Sequence, residues 1–487
     1  MPEQKSRPMP PAAIALTAIA LAGCAVGPAY HAPTSPLPAA WPAPMPHGGK
    51  TSELADWWSQ FQDDTLAGLI ASAQADSPSL EQAWAKIQQA RGTVTTDRAV
   101  ALPTLDGSGS ATRSKQQSTV LSTTRSATLD ASWEVDLFGK ARKNVEAARA
   151  RVDARIADWH DARVSLAAEV ADDYVQYRGC RLQADAYDRE AASAEVTARS
   201  TATLVDAGLS APSDANLARA TLASNRSSAA AEHATCDNLV KSLVALSGRD
   251  ESELIAALDE GKHGLPRPAV LAIQAVPAQA IHQRADVASL ERELAATSAE
   301  IGAAQAALYP SLSLSGSIGR SSTGGVGFTP WSFGPTLDLP IFDAGKRRAN
   351  VDSAKASYDS ALASYRQGVR TAIKEVEQAL VNLDSATRRA QEASSAAAEY
   401  RKYVQALEAG WHAGTNSLLD LEEGRRSAIT AEVEALTQEQ NQVSYWIALY
   451  KALGGGWTTG TPATAPVPLS TVPIKQQDSK PPQGATR

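Results

Sequence analysis

The sequence is poor in cysteine, methionine and aromatic residues. Three cysteines among 487 residues exclude a disulfide-rich scaffold, and three methionines with seven scattered histidines provide no segment for relaying metal ions. Only 5% of the residues are aromatic and alanine supplies much of the 43% hydrophobic content, which favours long, closely packed helices over a thick globular core. A net charge of −7 offers no basic surface of the kind that nucleic acids require.

Catalytic motifs are absent as well. The sequence contains no G-x-x-x-x-G-K-[ST], H-E-x-x-H or C-x-x-C, so we expect no enzymatic activity and no metal site. His233 and Cys236 form an H-x-x-C pair, but no second close pair of ligands accompanies them. Beyond the N-terminal region no run of 18 apolar residues occurs, so any further membrane crossing has to use β-strands.

The N-terminal region carries an export signal. The apolar run at residues 12–21 follows two cationic residues and is shorter than the roughly 20 residues of a spanning helix, which predicts a signal peptide over residues 1–23. The tetrapeptide "LAGC", ending at Cys24, resembles the lipobox of bacterial lipoproteins, in which the cysteine is acylated after cleavage. The alternative is a chance cysteine beside an ordinary cleavage site. Acyl chains on Cys24 would anchor the protein, and Ala25 favours the outer membrane over inner-membrane retention.

The rest of the chain contains two copies of one sequence repeat. Landmarks recur at an offset of 206 residues, which predicts two copies with the same order of elements. These landmarks are Gly139-Lys140 with Gly345-Lys346, Gly208 with Gly414, Asp214 with Asp420, and Gly248 with Gly454. The predicted segments are an extended leader (24–64), the first repeat (65–248), a linker (249–279), the second repeat (280–456) and a disordered tail (457–487).

Each repeat has the same predicted elements. A helix ending at a proline is followed by two strands with alternating apolar and polar residues, a helical run of 65 to 70 residues without proline, a glycine turn and a returning helix. The long runs, 139–208 and 345–414, would each reach about 100 Å if continuous. The strands are predicted at about 104–115, 125–138, 310–320 and 331–342.

The strand pattern leaves two interpretations open. Transmembrane barrel strands and the strands of a soluble, half-buried sheet share the same alternation, and the export signal with its anchor favours the membrane. Backbone groups in lipid must all be paired, so four strands with free edges cannot stand there alone. The chain would therefore combine with copies of itself.

The motifs together resemble one known family. The lipobox, "WWSQFQDDTLAGLI", "ALYPSLSLSG", "LDLPIFDAGKRRA" and the closing "LYKALGGGW" are similar to the TolC-like outer-membrane efflux family, in its lipoprotein (NodT-type) branch. The resemblance implies a mainly α fold with transmembrane β-structure: a homotrimer in which four strands per chain contribute to a twelve-stranded barrel above a long periplasmic α-helical barrel.

The resemblance also implies a function and partners. Members of the family are passive outer-membrane ducts that export small molecules and dock on a periplasmic adaptor protein and an inner-membrane efflux transporter, usually of the resistance-nodulation-division class. Two alternatives remain at this point, namely a tunnel for protein secretion and a lipid-anchored structural coiled-coil protein. The sequence does not indicate the cargo.

The acidic run "LLDLEEGRR" follows the second turn. An acidic run of this kind usually forms a solvated helix face. The resemblance instead implies that Asp420 and Glu423 belong to a ring of carboxylates at the closed periplasmic mouth. Glu423 stands where the family usually has aspartate. In a trimer these two positions would give six carboxylates, enough to concentrate cations.

A gate latch is a further implication of the resemblance. In some members an aspartate of the first turn binds an arginine and a tyrosine of the second. Here the aspartate position is Asp214, but the other two positions are Asn416 and Trp411. Neutral donors replace the cation, so we predict a weaker latch.

The two remaining cysteines lie at equal distances from the first turn. Cys180 precedes Gly208 by 28 residues and Cys236 follows it by 28, so both would lie at the same height of an antiparallel hairpin. An oxidising periplasm permits a disulfide between them. The alternative is a pair of buried free thiols.

Overall fold

The computed structural model describes residues 26–33, 57–115, 121–261, 264–268, 281, 284–455, 457 and 463. Within these ranges the helices are α1 (Asp64–Ala75), α2 (Pro78–Val100), α3 (Lys140–Asp206), α4 (Pro212–Ser247), α5 (Glu251–Glu260), α6 (Ala285–Ala306), α7 (Lys346–His412) and α8 (Leu418–Ala452). The strands are β1 (Thr104–Ser114), β2 (Ser122–Val135), β3 (Ser311–Thr323), β4 (Val326–Phe328) and β5 (Trp331–Asp338). The predicted signal peptide, with Cys24, lies outside the described residues.

The tandem repeat is confirmed by the helices. The long helices α3 and α7 have 67 residues each, and their bounds differ by the offset of 206. Both begin after a glycine in the left-handed region, Gly139 (φ 86°) and Gly345 (φ 88°), and both end before another, Gly208 (φ 72°) and Gly414 (φ 75°). Glycine adopts these angles without a Cβ clash, so the same two positions turn the chain in each repeat.

The leader contains a helical segment. Residues 26–33 belong to no helix or strand, but Trp57 and Phe61 belong to a short 3₁₀ helix and are buried. The ring centroid of Trp57 lies 4.5 Å from that of Tyr450 in α8. The prediction of an extended leader is therefore wrong for this part, because its aromatic residues fill the core between the two repeats.

The predicted linker and tail also need correction. The linker contains α5, whose Leu254 and Leu258 are fully buried, and the Arg178 guanidinium donates a hydrogen bond of 3.0 Å to the carbonyl of Leu258. At the start of the predicted disordered tail, the ring of Trp457 lies 5.8 Å from that of His160. Both segments therefore contain residues that contact α3.

One large apolar core joins the repeats at mid-height. It contains side chains of α1 to α5, α7 and α8, and it encloses a polar group of three side chains. Asp63 accepts hydrogen bonds from the amide groups that begin α1 and from the hydroxyl of Tyr174 at 2.9 Å. The Arg178 guanidinium in turn donates to the Tyr174 oxygen at 3.0 Å. Burial of such a group requires these hydrogen bonds, although Nη2 of Arg178 is buried without a hydrogen-bond partner among the described residues.

The strands form one antiparallel sheet in the order β1-β2-β3 followed by β4 and β5. Residues 321–323 pair with β4 and residues 311–318 pair with β5 in the same register. The two segments are therefore one strand, interrupted where Pro330 lacks an N–H group. The strand bounds differ from the prediction: β2 starts at Ser122 and β5 ends at Asp338.

A two-residue turn links β3 to β4. Gly324 (φ 60°) and Gly325 (φ 93°) occupy it, as the type I′ hairpin requires. The turn and the paired strand ends Ser114 and Ser122 lie at the sheet end remote from the helices. No helix of the described residues is long and apolar enough to cross a membrane.

Candidate functional site: a two-faced sheet and two helical turns

The sheet has one apolar and one polar face. Its register places the large apolar side chains of β1, β2, β3 and β5 on the same side, here named the apolar face. Val326 and Phe328 of the short β4 lie on the opposite side. These residues are Leu105, Leu129, Trp133, Val135, Leu312, Leu314, Ile318, Trp331, Phe333 and Leu337. No side chain of the five strands is fully buried, and Trp331 and Phe333 are each 75% exposed. The half-buried soluble sheet is therefore wrong, because no described layer of this chain covers the apolar face.

The opposite side, here named the hydroxyl face, is lined by serine and threonine. Hydroxyl pairs connect neighbouring strands at four levels: Ser108 with Thr128 (2.7 Å), Ser110 with Ser126 (2.8 Å), Ser317 with Ser332 (2.8 Å) and Thr124 with Thr323 (3.2 Å). Its carboxylates are Asp106, Asp130, Glu134 and Asp338. Such a face suits contact with water, whereas the apolar face suits contact with lipid.

The sheet has two unpaired edges. β1 and β5 each pair with one neighbour, so one row of N–H and C=O groups on each strand has no partner within the sheet. Exposed edges of this kind pair with other strands. In a lipid environment they have to do so, since each unsatisfied group there costs several kcal/mol.

The long helices carry the chain from the sheet to two turns about 100 Å away. At the second turn Ser417 and Asp420 form a capping box. The Asp420 carboxylate accepts hydrogen bonds from the Ser417 hydroxyl (2.6 Å) and amide (3.2 Å), which lower the pKa of Asp420. Asp420 is therefore ionised well into the acid range. Glu423, one turn along α8, is also exposed.

The third acidic residue of this run has a different environment. Glu422 is 4% exposed, and its carboxylate lies 3.4 Å from the guanidinium of Arg425, which is also 4% exposed. Arg425 further donates to Glu408 (2.8 Å) and to the hydroxyl of Thr197 (2.6 Å) in the neighbouring hairpin. Burial raises the pKa of Glu422, and Arg425 partly opposes this shift. The structure thus separates a structural ion pair from the two exposed carboxylates.

The first turn holds Asp214 locally. Its carboxylate accepts hydrogen bonds from the Ser210 hydroxyl at 2.6 Å and the Ala211 amide at 3.3 Å. Asn416 donates to the carbonyl of Leu407 at 3.3 Å, and Trp411 packs with an apolar cluster. Among the described residues no hydrogen bond joins Asp214 to Asn416 or Trp411, so a latch between them requires a second chain.

The two cysteines meet across the first hairpin. Cys180 and Cys236 are bonded in the structure, with 5.6 Å between their Cα atoms, and both are buried. Their sulfurs and Glu232 make up a group with the spacing of metal ligands, but bonded sulfurs are not thiolate ligands. His233 pairs instead with Asp188, at 2.9 Å. The two members of the H-x-x-C pair therefore have different partners: His233 contacts Asp188, and Cys236 is bonded to Cys180.

Sequence reasoning missed two groups of functional residues. The ion pair of Arg425 was hidden in a charged run, although the i,i+3 spacing of Glu422 and Arg425 was a usable signal. The hydroxyl face was missed in β1, because Gly107 and Gly109 occupy its apolar side and remove the hydrophobic alternation. Serine or threonine at every second position was the remaining signal.

Comparisons with known proteins agree with this architecture. The family described as "Outer membrane efflux protein" matches residues 69–249 and 276–455. Nodulation protein T of Rhizobium leguminosarum bv. trifolii is 31% identical over 90% of this chain and 95% of its own. Outer membrane protein OprJ of Pseudomonas aeruginosa is 30% identical over 91% and 95%.

The outer-membrane channel OprN is similar in structure. It shares 30% identity at a TM-score of 0.80, covering 89% of this chain and 100% of its own. The architecture is thus that of an outer-membrane channel protein, with a sheet for the membrane and long helices for the periplasm. The chain belongs to the outer membrane efflux protein family, and the predicted fold class and efflux function are confirmed.

Proposed function

We propose that three copies of this chain form the exit duct of a tripartite efflux pump, through which small molecules pass from the periplasm to the outside. The observation that carries the proposal is the two-faced sheet with unpaired edges at β1 and β5. Three sheets joined edge to edge give a twelve-stranded barrel with no free edge, the hydroxyl faces inside and the apolar faces toward lipid.

The partners follow from the length and position of the helices. Helices about 100 Å long carry the duct far into the periplasm, where a periplasmic adaptor protein links it to an inner-membrane efflux transporter. The transporter supplies the driving force and the duct is passive. Relatives named as a solvent efflux pump protein (SrpC) and a toluene efflux pump protein (TtgI), both of Pseudomonas putida, support toxic small solutes as cargo.

Conductance in a planar bilayer, measured with the oligomeric mass of the same detergent-purified preparation, tests the duct. A trimer with small, cation-selective currents is the expected result. A monomer without currents would contradict the proposal and favour the alternative of a lipid-anchored structural coiled-coil protein.

Asp420 and Glu423 are proposed to form the cation-selective mouth of the duct. Both side chains are exposed, Asp420 on the first turn of α8 and Glu423 on the second, and the lowered pKa of Asp420 keeps that carboxylate charged. The variant Asp420→Asn/Glu423→Gln should become tolerant of anions. Glu253→Gln/Glu260→Gln removes two exposed carboxylates from α5 and should not change selectivity. Equal ion selectivity in the two variants would show that Asp420 and Glu423 do not form a cation-selective mouth.

The latch is proposed as a contact between chains, from Asp214 of one chain to Asn416 and Trp411 of the next. Asp214→Ala should raise the single-channel conductance modestly, because neutral donors hold the carboxylate only weakly. Ser210→Ala is the matched control, since it removes the local hydrogen bond to Asp214 and leaves the carboxylate in place. Unchanged conductance in Asp214→Ala would show that no latch exists.

Lipid on Cys24 is proposed to anchor the chain at the inner leaflet of the outer membrane. The amide of Val26 donates a hydrogen bond of 3.3 Å to the carbonyl of Phe138, three residues after β2 ends. The leader therefore starts beside the helical end of the sheet, where acyl chains would reach the bilayer. Intact mass spectrometry should show the acylated form, and Cys24→Ala should abolish it.

A further inference from the structure

The charged residues of the sheet are sorted by face. The strands contain seven ionisable side chains. The four carboxylates lie on the hydroxyl face, whereas Arg113, Arg125 and Arg320 lie on the apolar face. A lipid-facing arginine costs about 2–4 kcal/mol at the centre of a bilayer and about 0–1 kcal/mol near its surface. The position of the three arginines along the strands therefore matters.

The three arginines form a diagonal row across adjacent strands, here named the arginine row. Arg125 lies opposite Ala111 of β1 and Ser322 of β3. Arg113 and Arg320 are each two residues from those positions, which makes both of them diagonal neighbours of Arg125. Diagonal neighbours have Cα atoms roughly 7–8 Å apart, so the three guanidinium groups can reach one polyanionic ligand together.

The arginine row lies at the outer edge of the apolar band. Arg125 is ten residues from Val135, the last residue of β2. At about 3.3 Å per residue this is roughly 33 Å along the strand, and a tilt of about 40° reduces it to roughly 25 Å of height, the height of an outer-membrane apolar band. The row therefore stands at the level of the lipid headgroups of the outer leaflet, near the hairpin turns.

The row has no carboxylate partner among the described residues. All three side chains are exposed, and no ion pair or hydrogen bond to another described residue engages them. A neighbouring chain in the barrel would not supply one, because β5 carries only Trp331, Phe333, Pro335 and Leu337 on its apolar face. The three guanidinium groups are therefore available to a ligand from outside the protein.

We propose that the arginine row binds the phosphate groups of an anionic glycolipid in the outer leaflet of the outer membrane. Arginine matches phosphate with two parallel N–H···O bonds, and three such groups in a row fit a headgroup that carries two phosphates. The neighbouring Ile318 and Trp331 on the same face would contact the acyl chains. The inference rests on the sheet spanning the outer membrane, as proposed above.

Native mass spectrometry on the delipidated full-length trimer tests the proposal. The probes are bisphosphorylated lipid A and the same lipid with both phosphates removed. Wild type should bind the bisphosphorylated lipid at least about tenfold more tightly, which corresponds to about 1.4 kcal/mol. Arg113→Gln/Arg125→Gln/Arg320→Gln should lose this preference. Arg366→Gln/Arg370→Gln/Arg401→Gln, which removes three exposed charges from α7, should keep it.

Two results would overturn the proposal. One is an unchanged lipid preference in the arginine-row variant; the other is displacement of the lipid by inorganic phosphate at equal concentration, which would show a general anion site. If the triple variant does not assemble, Arg125→Gln alone should weaken binding by about threefold, since one of three charge-assisted contacts is lost. Normal conductance in a preparation without lipid preference would remove this inference and leave the duct intact.

Discussion

In the first hairpin, formed by α3 and α4, a disulfide at Cys180 and Cys236 joins the two helices. In the second hairpin, formed by α7 and α8, the equivalent positions 206 residues later hold Ala386 and Gln442. The second hairpin instead has a buried ion pair near its turn, where Glu422 meets Arg425.

The same offset relates Arg425 to Arg219 of the first hairpin. Arg219 is exposed and donates only to neutral neighbours in its own helix, namely Asn216 (2.8 Å) and the carbonyl of Ala215 (3.1 Å). One repeat is therefore fixed covalently and the other by a contact that protons or a competing ion can weaken. We therefore expect the second hairpin to move more easily than the first.

Loss of the disulfide should have the largest effect. Cys180→Ser/Cys236→Ser should lower the free energy of unfolding of the first hairpin by about 4 kcal/mol in the chain-entropy model. Hydrogen exchange of α3 and α4, followed by mass spectrometry, measures the change. The reverse change, Ala386→Cys/Gln442→Cys, should stiffen the second hairpin and reduce the conductance. Unchanged exchange in the serine variant would show that the cysteines are not bonded in the protein.

Removal of Arg425 should have the next largest effect. Arg425→Met leaves Glu422 buried without its counter-charge, which should cost about 3 kcal/mol. The expected readout is faster hydrogen exchange confined to residues 400–430. Arg219→Met is the matched control in the first hairpin and should change exchange little, because Arg219 is exposed and pairs with no carboxylate. Equal effects at both positions would contradict the difference between the hairpins.

Asp161 of the first repeat is a titrating group that the second repeat lacks at the equivalent position. Burial and the nearby Asp286 raise the pKa of Asp161 in α3 from 3.8 to about 6, whereas the equivalent position in α7 is the uncharged Gln367. Between about pH 4 and pH 6 the folded state holds a proton that the unfolded state has released. The free energy of unfolding should therefore fall as the pH rises through this window.

The variant Asp161→Asn measures this contribution. It should flatten the pH dependence of thermal unfolding between pH 4 and pH 6 and raise stability at pH 7 by on the order of 1 kcal/mol. Gln367→Asn is the control at the equivalent position and should keep the wild-type pH profile. A wild-type profile in Asp161→Asn would show that the carboxyl is solvated in the trimer.

The repeat, the long helices and the strand positions could be predicted from the sequence because each depends on local periodicity and on glycines at fixed intervals. The ends of β2 and β5 could not, since pairing with β3 sets how far each strand extends. The burial of Trp57 and Leu254 could not be predicted either. Their segments are short, and long-range contacts with α8 and α3 determine their conformation.

The candidate site likewise contains residues whose environment could be predicted from the sequence and residues whose environment could not. The exposed Asp420 and Glu423 were predictable from their spacing after the turn glycine. The burial of Glu422 was not, because it depends on Thr197 and Glu408, which approach Arg425 only in the folded structure. The arginine row was hidden for a related reason, since the face of an arginine in a strand is known only once the register is fixed.

The smallest expected effect concerns the two turns themselves. Helix α8 starts with the side-chain cap of Ser417, whose hydroxyl accepts from the Asp420 amide at 3.1 Å, whereas Ala211 at the start of α4 offers no side-chain hydrogen bond. Ser417→Ala should destabilise the second turn by about 1 kcal/mol, and Ala211→Ser should stabilise the first by up to about 1 kcal/mol. Local hydrogen exchange measures both. Opposite signs at equivalent positions are expected because the two repeats share a backbone and differ in one oxygen atom at the cap.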